Sequence, residues 1–439
     1  MPTRSREPET ARIAAATHDG RGIAATEGKK VFVAGALVGE TVRFIRRKRR
    51  RNFDEAELLE VVEASPERVD PRCAVFGRCG GCSLQHVTPE RQREIKAETL
   101  KDNLERIGRV RPARWLPPVT GEPWHYRRRA RLAVKSVSAK GRVLVGFRER
   151  HAAFVTDMQR CEVLADPLPA LIAPLAERIA TLSIASRLPQ IEVAAADNAT
   201  ALVFRVLDPP TAADEARLSE FGEAFGVRIY LQPAGLDSIV ELWPGESDPL
   251  SYSLPDFDLT LAFEPADFVQ INGEINRRML RLAVELLDAG SEHRVLDLFC
   301  GIGNFSLPLA RRAGEVLGLE GESSLVARAG ANARRNGLDN ARFQCVDLAA
   351  LEGNEPWLTA GCDRLLLDPA RSGAEAVARH IGRLDPERIV YVSCHPGTLA
   401  RDAGILVHDA AYTLEAAGIV DMFPHTAHVE SIAVFSKEN

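Results

Sequence analysis

The sequence predicts a multidomain chain: a small N-terminal β-barrel, a central α+β segment, and a C-terminal α/β domain on a doubly wound parallel sheet. Three observations predict it. The chain has 439 residues, more than one core usually holds at roughly 100 to 200 residues per domain. From about Val295 onward, short apolar runs alternate with helical segments, the pattern of parallel strands covered by helices. Before residue 65 the apolar pieces are short, alternating and separated by glycine or charge, as in a small closed sheet.

The barrel strands are expected in RIAAATH, GRGIAATEGKKVFVAG, ETVRFIRR and AELLEVVEAS, within 1–64. The six cations Arg46 to Arg51, flanked by Phe44 and Phe53, read as one of its loops. IKAETLKDNLERI (95–107) has helical spacing and leads into a linker with Pro112, Pro117, Pro118 and Pro123. The stretch 125–265 mixes strands (ARLAVKSV, GRVLVGFRE, TALVFRVLD, VRIYLQP) with a helix around 212–225, and it contains Cys161. The last domain offers RVLDLFC (294–300), EVLGLE (315–320), ARFQCVD (341–347), DRLLLDPA (363–370), RIVYVSC (388–394) and SIAVFS (431–436) as strands. Ligands of such sheets bind at the carboxyl ends of the strands. The first five runs end at or near Cys300, Glu320, Asp347, Asp368 and Cys394.

Composition narrows the function. Charged residues make up 27% and apolar residues 45%, a soluble balance, and no run of about 18 apolar residues offers a membrane span. The first residues break their apolar piece with His18, Asp19 and Gly20, unlike a secretory signal, so the expected location is the cytoplasm. The net charge of −5 conceals a division. Residues 1–150 carry 33 Lys and Arg against 19 Asp and Glu, net +14, and the rest is net −19. A basic front on an acidic body implies a polyanionic partner such as RNA, the plain alternative being solvated charge. A second basic cluster, Arg127, Arg128, Arg129 and Arg131, follows Trp124, His125 and Tyr126.

Eight cysteines in such a chain favour metal or catalytic roles over disulfides. Cys73, Cys79 and Cys82 form C-x5-C-x2-C among Gly77, Gly80 and Gly81, a loop able to turn its sulfurs toward one centre. Cys161 is the preferred fourth ligand, because Cys300, Cys345, Cys362 and Cys394 belong to the strand pattern. Four thiolates suit zinc or an iron–sulfur cluster, and spacing does not choose.

VLDLFCGIGNFSLPLA places a glycine turn between a strand and a helix, with Glu320 nineteen residues after Gly301 to accept from ribose hydroxyls. A dinucleotide fingerprint would need a third glycine where Ser306 stands. D-x-F-x-G-x-G with an acidic strand end resembles instead the S-adenosylmethionine site of Rossmann-like methyltransferases. By that resemblance Asp347 faces adenine while Phe299 and Asn304 line the methionine side. LLLDPARSG lacks the Asp/Asn-Pro-Pro-aromatic motif of amino-group methyltransferases, and lacks the cysteine that RNA cytosine-C5 enzymes carry after that proline.

VSCHPGTLARD supplies a nucleophile candidate, Cys394. Pyrimidine C5 is a poor nucleophile until a thiolate adds at C6 and makes C5 enolate-like. Glu430, just before the last strand and near His425 and His428 in sequence, could then remove the C5 proton.

Together these motifs resemble the bacterial RNA uracil-C5 methyltransferases, above all the branch with an N-terminal TRAM barrel and a four-cysteine cluster that acts on uracil 1939 of 23S ribosomal RNA. C-x5-C-x2-C with Cys161, DFVQIN (267–272), LDLFCGIGNFSLPLA, LDPARSG, VSCHPGTLARD and HVES carry the resemblance over almost the whole chain. It implies that Gln270, Phe299, Asn304, Glu320, Asp347 and Asp368 contact S-adenosylmethionine, that Cys394 is nucleophile and Glu430 base, and that Cys73, Cys79, Cys82 and Cys161 hold a [4Fe-4S] cluster. The domains it implies are a TRAM, OB-like RNA-binding barrel at 1–64, an iron–sulfur domain at 65–94 and 125–265, and a methyltransferase domain at 95–124 and 266–439; a monomer is expected, though no motif fixes the oligomeric state. Alternatives are another ribosomal or transfer RNA uridine as target, a non-catalytic metal-bearing RNA-binding protein, and a nicotinamide-dependent oxidoreductase. The last is disfavoured by Ser306 and leaves the basic run idle.

Overall fold

Alternation of apolar and polar residues closes the first sixty residues into a barrel. In the computed structural model of the protein, which describes residues 7–17, 19–150 and 152–437, strands β1 (Glu9–Ala16), β2 (Gly22–Ala24), β3 (Lys30–Ala34), β4 (Thr41–Arg49) and β5 (Phe53–Glu63) close in the order β1-β2-β3-β5-β4. Val31 and Val33 on β3, and Val42 and Phe44 on β4, point inward at period two, onto Ile13, Ala24, Ala36 and Ala56.

The basic run departs from the expected loop. Arg46 to Arg49 continue β4, and only 50–52 turn into β5. The reason is the opposite strand, which is acidic where β4 is basic. Arg46 pairs with Glu9 and Asp54, each at 2.8 Å, Arg47 with Glu57, and Lys48 and Arg50 with Glu55 at 3.9 and 3.5 Å. Cross-strand opposite charges favour pairing. Arg49 and Arg51 have no acidic partner among the described residues.

The chain divides into two compact units. The first holds the barrel, the cysteine loop, helix α1 (Pro89–Asn103) as far as Thr99, and residues 148–154 and 423–428. A small core of Leu37, Leu84 and Val87 joins the cysteine-loop side to the barrel.

The second unit begins with the end of α1 and a π-helical turn, Leu104–Gly108. Strand β6 (Arg114–Trp115) follows, and then a six-stranded sheet. Its elements are β7 (Arg129–Val137), β8 (Arg142–Gly146), α2 (Leu168–Ala180), β9 (Gln190–Ala195), β10 (Thr200–Arg205), α3 (Ala212–Phe225), β11 (Arg228–Gln232) and β12 (Val240–Trp243). The strand order is β12-β11-β10-β9-β7-β8, with β10 and β11 parallel. Helix α3 starts where Thr211 and Asp214 form a capping box, and it ends at Gly226 with φ +62°. A hairpin, β13 (Leu250–Leu254) and β14 (Leu259–Phe263), leads to α4 (Gly273–Leu287), whose N-cap Asn272 accepts from the Ile275 N–H at 3.2 Å.

The remaining elements are β15 (Arg294–Leu298), α5 (Ser306–Ala310), β16 (Glu315–Glu320), α6 (Ser323–Arg335), β17 (Ala341–Cys345), α7 (Pro356–Thr359), β18 (Arg364–Leu367), α8 (Glu375–Leu384), β19 (Arg388–Ser393), α9 (Pro396–His408), β20 (Tyr412–Val420) and β21 (Glu430–Lys437). They form an eight-stranded sheet in the order β17-β16-β15-β18-β19-β21-β20-β6. The expected parallel sheet holds for β15 to β19 and fails at the end. β20 is a strand the sequence pattern did not offer, because Leu-Glu-Ala-Ala in its middle favours helix. β21 runs antiparallel to both β19 and β20 and fills the space between them. Against its inner neighbours, α9 packs where Gly108 and Ala400 meet: a Cβ on Gly108 would lie 2.4 Å from the Ala400 carbonyl oxygen. Among the described residues, no helix is long and apolar enough to cross a membrane.

Candidate active site

The carboxyl edge of the large sheet collects the predicted residues through strand register. After β15 the chain turns through Phe299 (φ +66°), Gly301 (φ +55°) and Gly303 (φ +93°). Left-handed backbone at a bulky aromatic is costly and marks a constrained turn. The Phe299 N–H and Cys300 N–H both donate to the Leu319 carbonyl, at 2.8 and 3.1 Å, which ties the turn to β16. At the end of β16, the Glu320 carboxylate accepts from the N–H groups of Gly301 and Glu322, each at 3.1 Å. It is half-buried and keeps a face toward the edge. Asp347 follows β17, is exposed, and accepts from the Ala349 N–H at 2.9 Å.

Beneath the turn, the buried Asp297 carboxylate accepts from the Ser306 hydroxyl. The residue that breaks the dinucleotide pattern thus anchors the turn. Burial pushes the Asp297 carboxyl up to about 7, with Asp368 and Glu320 adding to the rise and Ser306 opposing it.

Asn304, half-buried, accepts on its Oδ1 from the Tyr252 hydroxyl at 2.9 Å and from Asn276 Nδ2 at 3.0 Å, and returns a bond to Asn276 Oδ1 at 3.0 Å. Gln270 lines a small cleft with Tyr252, Asn276, Phe263, Arg128 and Arg129. Tyr252 and Asn276 lie outside every motif the sequence offered. Only the fold brings a hairpin and a helix to the glycine turn.

Asp368, Cys394 and Glu430 stand together on three neighbouring strands. Leu367 of β18 pairs with Tyr391 of β19, and Ser393 of β19 pairs with Ser431 of β21. The next residues outward are Asp368, Cys394 and Glu430. Glu430 is 3% exposed. Burial, and then Asp368, hold its carboxyl well above the usual range. Burial alone pushes Asp368 up to about 7. The Cys394 thiol rises to about 11, first through burial, then through Glu430 and Asp368, with Arg371 pulling it down. Arg371, in the loop after β18, lies within LDPARSG, but the sequence assigned it no role. Its signal is position alone, three residues after Asp368.

His425 belongs to the first unit, where its ring nitrogen Nδ1 lies 3.3 Å from Gln92 Nε2 and its N–H donates to Gln92 Oε1 at 2.8 Å. There too, Cys73, Cys79 and Cys82 share one loop. The Cys79 sulfur accepts from the Gly81 N–H at 3.4 Å, and the Cys73 N–H donates to Gln85 Oε1 at 3.2 Å. Arg150 donates to the Cys82 carbonyl at 2.8 Å. Burial lowers the Arg150 pKa, and the charges that oppose this are Cys79, Asp19 and Cys82. Cys161 lies in the second unit, buried at the turn before α2, where its carbonyl accepts from the Leu164 N–H at 3.3 Å. Among the described residues, no group of three or more His, Cys, Asp or Glu is placed to hold a metal ion.

A doubly wound sheet with a glycine turn after its first strand and acids on the next strand ends defines the class of S-adenosylmethionine-dependent methyltransferases. Comparison with known proteins narrows the class. The family described as tRNA (Uracil-5-)-methyltransferase matches residues 251–438. The 23S rRNA (uracil(1939)-C(5))-methyltransferase RlmD of Alkalilimnicola ehrlichii is 53% identical over 433 residues, covering 99% of this chain and 97% of its own. The RlmD of Methylococcus capsulatus is 50% identical over 431 residues, covering 98% and 97%. The chain belongs to the RlmD family of 23S rRNA uracil-C5 methyltransferases. Its fold is shared with the Pyrococcus abyssi tRNA (uracil-54, C5)-methyltransferase crystallised with S-adenosyl-L-homocysteine, at a TM-score of 0.76, 23% identity, and coverage of 97% of this chain and 99% of that one.

Since Glu430 and Asp368 raise the Cys394 thiol and Arg371 lowers it, replacing either acid by its amide should make Cys394 alkylate faster at alkaline pH. Replacing Arg371 by Gln should slow it. A neighbouring charge of this kind is worth roughly tenfold in thiolate population. Peptide-resolved iodoacetamide kinetics against pH measure it, and unchanged rates in all three variants would show that the charges do not reach the sulfur.

Proposed function

We propose that this chain methylates C5 of a uridine in 23S ribosomal RNA, uracil 1939 by its relatives, with Cys394 as nucleophile and Glu430 as base. The observation that carries the reading is the register placing Cys394 and Glu430 on adjacent strand ends, beside Asp368. S-adenosylmethionine supplies an electrophilic methyl group. Gln270, Phe299, Asn304, Glu320, Asp347 and Asp368 hold it along the carboxyl edge, with Glu320 suited to ribose hydroxyls and Asn304 to the methionine end.

The Cys394 thiolate adds to C6 of the uracil, and the C5–C6 electron pair becomes an enolate over C5 and O4. C5 takes the methyl, leaving S-adenosylhomocysteine. Glu430 then removes the C5 proton, the C5–C6 double bond re-forms, and the thiolate leaves C6. Both groups act in their ionised forms, and both have raised pKa values. Cys394 therefore rests as the thiol. Arg371 is the cation that favours the thiolate.

The barrel is suited to RNA. Four of the six cations of its basic run are balanced by Glu9, Asp54, Glu55 and Glu57, so Arg49 and Arg51 carry the phosphate-seeking charge at the hairpin end. Cys73, Cys79, Cys82 and Cys161 would hold the [4Fe-4S] cluster. The glycine-containing loop that carries Cys73, Cys79 and Cys82 supports that donor set. The cluster enters no step of the methyl transfer.

Cys394→Ala should abolish transfer of labelled methyl to 23S RNA while binding S-adenosylhomocysteine normally. Glu430→Gln should permit addition and methylation but stall elimination, accumulating a denaturant-resistant protein–RNA adduct that carries the methyl. Near-normal turnover by Cys394→Ala would refute the mechanism, whereas free turnover by Glu430→Gln would move only the base elsewhere. Anaerobically purified protein should contain about four iron per chain. Stoichiometric zinc without sulfide would exclude the cluster.

A further inference from the structure

The Asn304 side chain has more hydrogen bonds than a ligand contact needs. A carboxamide offers two acceptor sites on its oxygen and two N–H donors on its nitrogen. The oxygen of Asn304 is filled by Tyr252 Oη and Asn276 Nδ2, and one N–H is taken by Asn276 Oδ1. One Nδ2 hydrogen is left, on a half-buried side chain within the glycine turn. The two partners come from separate elements, the β13–β14 hairpin and the first turn of α4, so the amide is held from two directions. Asn276 is itself buried and sits one turn into a helix capped by Asn272. Burial also keeps the Tyr252 phenol protonated, above its ordinary value, so it has a proton to donate to Asn304.

An amide fixed in this way cannot accept from a ligand; it can only donate. The methionine end of S-adenosylmethionine carries one donor group, the ammonium, and one acceptor, the carboxylate. We propose that Tyr252 and Asn276 are positioning residues that lock the Asn304 carboxamide so that its remaining N–H meets the carboxylate, not the ammonium, of the cofactor. This rests on the reading that Asn304 lies against the methionine end. The same network with both amides rotated by half a turn would present an oxygen and would select the ammonium. The two orientations therefore make opposite demands on the ligand.

The test is calorimetric binding of S-adenosylhomocysteine and of decarboxylated S-adenosylmethionine to the wild-type protein and to Tyr252→Phe, Asn304→Ala and Asn304→Asp. With S-adenosylhomocysteine, Asn304→Ala should bind on the order of tenfold more weakly, and Asn304→Asp more weakly still, because a carboxylate would then face a carboxylate. Tyr252→Phe should weaken binding severalfold and raise the cofactor KM with kcat unchanged at saturation, the mark of lost uniform binding. With the decarboxylated ligand these losses should vanish, and Asn304→Asp should bind at least as well as wild type. If Asn304→Asp holds S-adenosylhomocysteine as tightly as wild type, the amide faces the ammonium and the proposal fails. If Tyr252→Phe loses the same factor for both ligands, it is general damage and the positioning role fails. If Asn304→Ala binds S-adenosylhomocysteine with wild-type affinity, Asn304 is not at the cofactor, and the underlying placement falls together with the proposal.

Discussion

Everything at the reacting edge depends on one strand running the wrong way. In a sheet of five parallel strands, each strand delivers its last residue to the ligand edge and its first residue to the opposite edge. Glu430 is the first residue of its strand. It reaches the edge because β21 runs antiparallel between β19 and β20. The β19–α9–β20 crossover leaves a strand's width open, and the returning chain fills it. Cys394 at the end of one strand and Glu430 at the start of the next then fall opposite each other by simple continuation of the Ser393–Ser431 pair. A sixth parallel strand in that place would have put Glu430 on the far edge.

The second constraint is electrostatic. Asp297, Asp368 and Glu430 are all pushed upward chiefly by burial, and Asp368 raises the other two further. Each folded-state pKa lies above its unfolded value, so ionising them costs stability that is intact in acid and lost as pH climbs above the ordinary carboxylate range, for Asp297 and Asp368 through about 7. The thiol of Cys394 shares that field. Its resting state is protonated, and Arg371 is the charged group that pulls the other way. The glycine turn is stiffened from below by Ser306 on Asp297, from beside by Glu320 on Gly301, and from above by Tyr252 and Asn276 on Asn304. Three independent anchors on one short turn explain why Phe299 can be held at positive φ.

Much of this was legible in the sequence, where local pattern decides. The five parallel strands follow from apolar runs of four to six residues, and the barrel from period-two alternation. Cys394, Glu320 and Asp368 are readable because a strand end followed by glycine or proline announces its own position. What pattern could not carry was pairing across long separations. The strand β20 hides behind helix-forming Leu414, Glu415, Ala416 and Ala417, and tertiary pairing with β21 overrides their preference. The basic run looked like a loop because six cations repel. The acids that make it a strand, Glu9, Asp54, Glu55 and Glu57, lie elsewhere in the sequence or across the turn. Tyr252 and Asn276 carry no motif and gain meaning only when the hairpin and α4 meet the turn.

The account turns on Cys394 and Glu430 being cross-strand neighbours, and a disulfide tests that directly. Opposite residues on antiparallel strands have Cβ atoms about 4.5 to 5.5 Å apart, close enough to be bridged after a small adjustment. In Glu430→Cys protein under mild oxidation, peptide mapping should find position 430 joined to Cys394 in preference to Cys300, Cys345 or Cys362. An introduced thiol that stays reduced, or that links elsewhere while Cys394 remains alkylatable, would contradict the placement from which the mechanism is built.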